Sequence, residues 1–138
     1  MRTVLLGSVA LILTACASHD DQQGLCGKLS TFHQPSETEN LFRAVVTRID
    51  DANVVTKASY RLTPGTHTLR VVELIDDPRL GISLRDRHFK EFTLRVEAGV
   101  EYHLGARFEV REESPDSTSE YWQPVVWKQE QTQCHFEP

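Results

Sequence analysis

The fold of this chain is decided by the stretch Val100-Glu101-Tyr102-His103-Leu104-Gly105-Ala106-Arg107-Phe108-Glu109-Val110-Arg111. Apolar side chains occupy every second position of it, and the positions between them are charged, polar or glycine. Because successive side chains of a β-strand point to opposite faces, this alternation predicts one long strand. The pattern suits an antiparallel sheet that packs one face on a core and exposes the other face to water.

The segment before this strand predicts a partner for it. Residues 89–97 alternate in the same way, with Phe92, Leu94 and Val96 on one face. Ala98-Gly99 lies between the two segments, so we expect residues 89–111 to form a β-hairpin.

Three more strands are predicted upstream, with turn-forming residues between them. Residues 41–49 are rich in β-branched and aromatic residues and end at the cluster Asp50-Asp51-Ala52-Asn53. Residues 54–62 alternate as a half-buried strand. Pro64-Gly65 suits a type II turn, since proline fixes one φ and glycine accepts the positive φ after it. Residues 66–75 then form the return strand.

The last predicted strand covers residues 121–128, after a charged loop at 112–120. Pro124 within it indicates an edge strand or a bulge, because proline cannot donate a hydrogen bond to a sheet. About seven short strands separated by turns predict an all-β fold, either an antiparallel β-sandwich or a small barrel. No long amphipathic helix is predicted.

The first sixteen residues are typical of a secretory signal that ends in a lipid-modified cysteine. Arg2 precedes an apolar run and the motif Leu13-Thr14-Ala15-Cys16, which resembles the bacterial lipobox. The resemblance implies that residues 1–15 are removed and that Cys16 carries two or three acyl chains, such as palmitate, which anchor a protein stably. Because Ala17 rather than Asp follows Cys16, it also implies the periplasmic face of the outer membrane. An ordinary cleaved signal peptide is the alternative.

Removal of that signal leaves residues 16–138, which is enough for a single domain with one modest core. We expect residues 16–25 to be the lipid-bearing cysteine and a flexible polar tether, and residues 26–138 to be the β-sandwich domain. The formal net charge is −5, and it becomes −6 without Arg2. A mildly acidic chain argues against nucleic-acid binding and provides no polybasic attraction to anionic lipid.

Two cysteines remain once Cys16 is assigned to lipid. Cys26 and Cys134 lie near opposite ends of the mature chain. In an oxidising periplasm an even pair of this kind predicts a disulfide that ties the two ends of the domain together. The alternative is a pair of reactive or metal-binding thiols, since His135 is adjacent to Cys134.

One segment resembles a known class of extracytoplasmic module. Ile49-Asp50, followed by Leu62-Thr63-Pro64-Gly65-Thr66-His67-Thr68-Leu69-Arg70-Val71, is similar to the strand-turn-strand pattern of PEGA-type modules and related small lipoprotein domains. The similarity covers about 25 of the 138 residues, and Asp51 replaces the glycine that usually follows the Ile-Asp pair. The resemblance implies a non-catalytic extracytoplasmic β-module.

No catalytic or metal-binding motif is evident in the sequence. The six histidines include no pair at positions i and i+2, no His-Glu-x-x-His helix motif and no paired Cys-x-x-Cys. No serine lies in a Gly-x-Ser-x-Gly elbow. We therefore expect no catalytic residues, no metal ligands and no cofactor. A metal site built from His67, His103 or His135 is kept as an alternative.

The aromatic segment Tyr121-Trp122-Gln123-Pro124-Val125-Val126-Trp127 is the candidate contact surface. Trp122 and Trp127 are five positions apart and fall on opposite faces of a regular strand. One of them, beside Tyr121, could be exposed and contact a glycan or a protein. The alternative is that both rings pack in the core.

These observations predict a non-enzymatic, lipid-anchored protein that binds or supports another component of the bacterial envelope, either a protein or a glycan. An envelope hydrolase, with active residues that converge from separate loops, is the alternative of another class. The His-based metal-binding protein is the third.

Overall fold

The computed structural model describes residues 24–109 and 121–137. These residues form nine strands: β1 (Gly27–Ser30), β2 (Leu41–Phe42), β3 (Ala44–Ile49), β4 (Ala52–Asn53), β5 (Ser59–Leu62), β6 (Gly65–Glu73), β7 (Phe89–Val96), β8 (Val100–Phe108) and β9 (Trp122–Gln131). Single 3-10 turns lie at Glu37–Glu39 and Leu84–Asp86. None of these is long and apolar enough to cross a bilayer.

The strands form two sheets that pack face to face, which confirms the predicted β-sandwich; the sheets do not close into a barrel. In the five-stranded sheet, β9 pairs with one edge of β8, β1 and β2 pair with its other edge, and β5 pairs with β1. The four-stranded sheet has the order β4-β3-β6-β7. Seven of the strands described have four or more residues, in line with the number expected.

The long strand predicted at residues 100–111 is β8, and its alternation is confirmed as far as Phe108. Its apolar positions are all buried in the core between the sheets: Val100, Tyr102, Leu104, Ala106 and Phe108. The residues of β8 that face away from the core are not all exposed to solvent, however, because His103 and Gly105 are buried as well. The last two residues of the predicted strand lie outside the described residues.

The hairpin predicted at residues 89–111 and the return strand predicted after Pro64-Gly65 are both paired differently in the structure, because the chain changes sheets at each of the two turns. β7 pairs with β6 in the four-stranded sheet, whereas β8 belongs to the five-stranded sheet. β5 likewise pairs with β1 and not with β6. Gly65 and Gly99 have φ of +131° and +76°, which glycine adopts readily, so they turn the chain from one sheet to the other. The apolar faces of the strands before and after each turn therefore pack against the same core, although these strands belong to different sheets.

Two further strand predictions are corrected. The segment at 41–49 breaks at Arg43, so that β2 joins β8 in one sheet and β3 joins β6 in the other. Residues 54–58 form no strand, and Val55 among them is exposed. β1 was not predicted, and its pairing with β8 is parallel, so the five-stranded sheet is mixed and not antiparallel throughout.

The predicted disulfide between Cys26 and Cys134 is confirmed. It joins residues 108 positions apart, and closing a loop of that length contributes about 5 kcal/mol in the chain-entropy model. Leu25, assigned above to the tether, forms a β-bridge with His135 beside the disulfide. The two ends of the described domain therefore lie together. The predicted signal peptide, Cys16 and the tether as far as residue 23 lie outside the described residues.

Candidate functional site

The outer face of the five-stranded sheet carries a buried histidine. His103 lies on β8 between Ser30 of β1 and Lys128 of β9, and only 2% of it is exposed. Its Nε2 lies 3.0 Å from Oε2 of Glu130. A carboxylate oxygen can only accept a hydrogen bond, so Nε2 carries a hydrogen and donates this bond. The other ring nitrogen, Nδ1, is buried and has no hydrogen-bond partner in the described part of the chain.

Two carboxylates face each other across the strands next to His103. Glu101 of β8 lies directly opposite Glu130 of β9, and like charges in this position destabilise a sheet. Glu130 is compensated, since Lys128 donates to it over 2.7 Å and His103 also donates; both bonds lower the pKa of its carboxyl, that of Lys128 more. Within residues 24–109 and 121–137, the only hydrogen bond to the Glu101 carboxylate comes from the hydroxyl of Ser30, over 2.5 Å.

His33 completes this group from the loop that follows β1. Its exposed ring lies edge-on to the ring of His103, with the ring centres 4.6 Å apart. One ligand atom each of His33, Glu101 and His103 lies within 4.8 Å of the other two. We refer to these three residues as the outer-face cluster. Two imidazoles and a carboxylate are donors that suit Zn²⁺.

Aromatic side chains border the outer-face cluster. Trp127 is the extra residue of a β-bulge in β9, because His103 pairs with Lys128 while Leu104 pairs with Val126. Its half-buried ring lies 5.3 Å from the ring of His103 and covers Gly105. A β-carbon at Gly105 would lie 3.0 Å from Cδ1 of Trp127 and 2.8 Å from the carbonyl oxygen of Phe42, so glycine makes room for the indole.

A second buried histidine resembles part of a hydrolase site but is fully engaged in structure. His67 contacts Oδ2 of Asp50 through Nδ1, and the hydroxyl of Thr63 lies 3.4 Å from Nε2. The carbonyl oxygen of Thr63 is closer to Nε2, at 2.6 Å, and accepts a hydrogen bond from its N–H. Nε2 therefore carries a hydrogen toward the backbone and cannot take one from the hydroxyl.

Asp50 is held in this contact by the turn it occupies. Asp50 and Asp51 have φ of +48° and +65° and form the two-residue loop between β3 and β4, as the turn-forming sequence predicts. The carboxylate of Asp50 also accepts the backbone N–H of Thr68 over 2.9 Å. This bond, and to a smaller extent the bond to His67, lowers the pKa of the Asp50 carboxyl. Asp50 and His67 thus tie the β3–β4 turn to the crossover at Thr63.

The candidate contact residues differ in their positions. Tyr121 and Trp122 are buried, with Trp122 fully inaccessible, so neither offers a surface; the bulge lies at Trp127 and not at Pro124. Tyr121 donates to the buried carboxylate of Glu73 over 2.9 Å. Burial first, and then this contact, raises the pKa of the Tyr121 phenol. Trp127 is the candidate that stays partly exposed.

The histidines considered as metal ligands are not brought together. His67 lies on the four-stranded sheet, and His135 is exposed beside the disulfide that occupies the two thiols. Only His103 of these three belongs to the outer-face cluster. Glu101 and His103 are two positions apart on one strand, a signal that a search for paired histidines misses. His33 has no local signal, since a loop brings it to β8.

No protein-family model, no curated protein and no solved structure matches this chain.

Proposed function

We propose that this protein is a lipid-anchored, non-enzymatic binding module of the bacterial envelope, held by acylated Cys16 at the periplasmic face of the outer membrane. In this proposal the β-sandwich binds or supports another envelope component, a protein or a glycan. The small extracytoplasmic β-module that the PEGA-type resemblance implies has the same character.

The disulfide is the observation that carries this proposal. Cys26 and Cys134 are bonded to each other, which is typical of proteins that mature in an oxidising compartment. With those two cysteines paired, Cys16 is the one remaining cysteine of the chain, and it stands at the acylation position of the lipobox-like motif. The bridge between Leu25 and His135 closes the domain where the tether would leave it.

The arrangement of His67 supports a binding role over a hydrolytic one. Asp50, His67 and Thr63 are the acid, histidine and hydroxyl that come closest to a catalytic triad in the described ranges. A triad histidine needs a free nitrogen to accept the nucleophile's proton, and Nε2 of His67 is bonded to a backbone carbonyl instead. The network stabilises a turn, and Nε2 of His67 is not available as a general base for the hydroxyl of Thr63.

The partner surface we propose is the aromatic part of the outer face, formed by Trp127, Phe32 and His33. Phe32 is 46% exposed, and its ring lies 3.9 Å from that of His33. Exposed aromatic rings contribute strongly to contacts with proteins, and Trp is among the residues enriched at the energetic centres of such contacts. Trp127 is thereby retained as a contact residue, without Tyr121 and Trp122.

Cell fractionation tests the anchor. In a Gram-negative host that processes lipoproteins, we expect the wild-type chain in the outer-membrane fraction and labelled by an alkyne analogue of palmitate. Cys16→Ser should lose the label and move to the soluble periplasmic fraction, with the disulfide still formed, because the domain does not need the lipid to fold. A Cys16→Ser protein that stays in the membrane, or a wild type that takes no label, would refute the anchor.

Site-specific photo-crosslinking in cells tests the surface. A photoreactive amino acid at Phe32 should capture a discrete envelope protein, or peptidoglycan recognisable by its release with a muramidase. The matched control is the same amino acid at Thr93, which is exposed on β7 of the opposite sheet. Equal adducts from both positions, or none from Phe32, would contradict the assignment of the binding surface.

A further inference from the structure

We infer that the outer-face cluster is a Zn²⁺ site, with Nδ1 of His103, the carboxylate of Glu101 and the imidazole of His33 as its ligands. This inference does not depend on the lipid anchor or on the identity of any partner.

The state of His103 is the first argument. Its Nε2 donates to Glu130, so in the neutral ring the lone pair is on Nδ1, the nitrogen that is buried without a partner. A buried polar atom without a hydrogen bond destabilises the fold unless something binds it. Metal-bound histidines almost always donate their second N–H to a carboxylate, a backbone carbonyl or water, and Glu130 is such an acceptor.

The charges around His103 are the second argument. Glu101 and Glu130 are directly opposed on the two strands, yet only Glu130 has a cation, Lys128, within ion-pair distance in the described residues. Ser30 bonds Oε1 of Glu101, which orients the carboxylate and leaves Oε2 free of any described hydrogen bond. A divalent ion at Glu101 would offset the repulsion between the two carboxylates.

The distances fit a site that closes on the metal. One ligand atom each of His33, Glu101 and His103 lies within 4.8 Å of the other two. Ligand atoms at about 2.1 Å from a tetrahedral zinc ion are separated by about 3.4 Å, so the three side chains have to move closer together to bind the ion. Glu101 and His103 are on β8, a strand paired along both edges, so they form the rigid part. His33 is exposed on a loop and can rotate its ring inward.

Three protein ligands leave one coordination position open. Zinc sites of three ligands hold a water molecule or an external group at the fourth position. A zinc ion bound by the outer-face cluster would lie on the same face of the sheet as Trp127, so a donor group of the partner would be able to complete its coordination.

Metal titration of the mature protein, extracted in detergent and stripped of metal, tests this inference. With a histidine-free affinity tag and a chromophoric zinc chelator as competitor, we expect one equivalent of Zn²⁺ per chain. The Co²⁺ form should show the visible absorption of a tetrahedral site. Glu130→Gln should weaken binding about 10- to 100-fold, as is typical for a residue that orients a ligand.

His33→Ala is the decisive variant, because an exposed loop histidine can be removed without unfolding the domain. It should weaken Zn²⁺ binding at least as much as Glu130→Gln and abolish the Co²⁺ absorption, while circular dichroism stays unchanged. His135→Ala, which removes another exposed histidine, is the matched control and should bind as the wild type does. Wild-type affinity in His33→Ala, or no stoichiometric Zn²⁺ on the wild type, would overturn the inference. Neither result would affect the fractionation test of the anchor.

Discussion

The two buried histidines of this sandwich, His67 and His103, have similar partners and different roles. Each lies on the central part of a sheet, is at most 8% exposed and donates to a carboxylate that is partly in water. His67 uses both ring nitrogens, against Asp50 and the carbonyl of Thr63. His103 uses one, and its Nδ1 has no partner in the described part of the chain. The first histidine stabilises a turn, whereas the second has a nitrogen free to bind a ligand.

The comparison shows that burial by itself does not mark a functional histidine. Buried polar groups in folded proteins are almost always hydrogen-bonded, so a ring that satisfies this rule needs no further explanation. A ring with an unpartnered buried nitrogen destabilises the fold, so its presence needs an explanation. His103, on the outer face of the five-stranded sheet, is such a ring.

Replacing each histidine with leucine should give the largest difference in stability between the two sites. In metal-free protein, His67→Leu removes two bonds, one of them to a charged group, and we expect a loss of about 2–3 kcal/mol in the free energy of unfolding. His103→Leu removes one bond to a half-exposed carboxylate and also removes the unpartnered Nδ1. We expect its cost to stay within about 1 kcal/mol, because relief of the buried polar atom offsets the lost bond.

Urea unfolding followed by tryptophan fluorescence, in the presence of a chelator, measures both variants. The disulfide must be intact in all proteins, since its loss would change the reference state. Equal costs for the two substitutions, or a larger cost for His103→Leu, would show that the Nδ1 of His103 is satisfied in solution.

A second prediction concerns Gly105 and Trp127, which lie beside the outer-face cluster. Gly105→Ala should destabilise the protein by about 1–3 kcal/mol, because the new methyl group meets the carbonyl oxygen of Phe42 and the indole of Trp127. In a Trp127→Ala background the indole is absent, so the cost of Gly105→Ala should fall. Unfolding measurements on the double-mutant cycle give the coupling between the two positions. A cost that is the same in both backgrounds would show that Trp127 does not pack on Gly105.

The smallest predicted effect is the contribution of Asp50, the partner of His67, to the pH dependence of the free energy of unfolding. The pKa of Asp50 is lowered in the folded state from its usual 3.8, so its contribution is present above about pH 4 and is lost as the pH falls through the folded value. Because 49% of the Asp50 side chain is exposed, we expect less than about 1 kcal/mol. The difference in the free energy of unfolding between wild type and Asp50→Asn should therefore shrink as the pH falls below about 4.

Unfolding curves at several pH values give this difference directly. Asp76→Asn is the control, since Asp76 is exposed and makes no hydrogen bond within the described ranges. A difference for Asp50→Asn that grows as the pH falls would contradict the assignment, because it would mean that the folded state raises the carboxyl pKa.

The sequence determined the parts of this protein that depend on local patterns. Alternation at residues 100–108 was enough to predict β8 and which of its side chains enter the core, because side-chain direction in a strand follows from position alone. The disulfide followed from counting cysteines, given the lipobox-like motif. The Asp50-Asp51 turn followed from residue types that tolerate positive φ.

The pairing of the strands and the contacts between distant polar groups depend on how the chain packs in three dimensions. Alternation does not say whether the chain turns back into the same sheet at Pro64-Gly65 and Ala98-Gly99 or crosses to the other, since either route buries the same face. The outer-face cluster depends on that choice, because the crossings place β1, and the loop that carries His33, beside β8. Sequence spacing placed Glu101 beside His103, whereas His33 and Glu130 reach the same ring through contacts between segments that are distant in the chain.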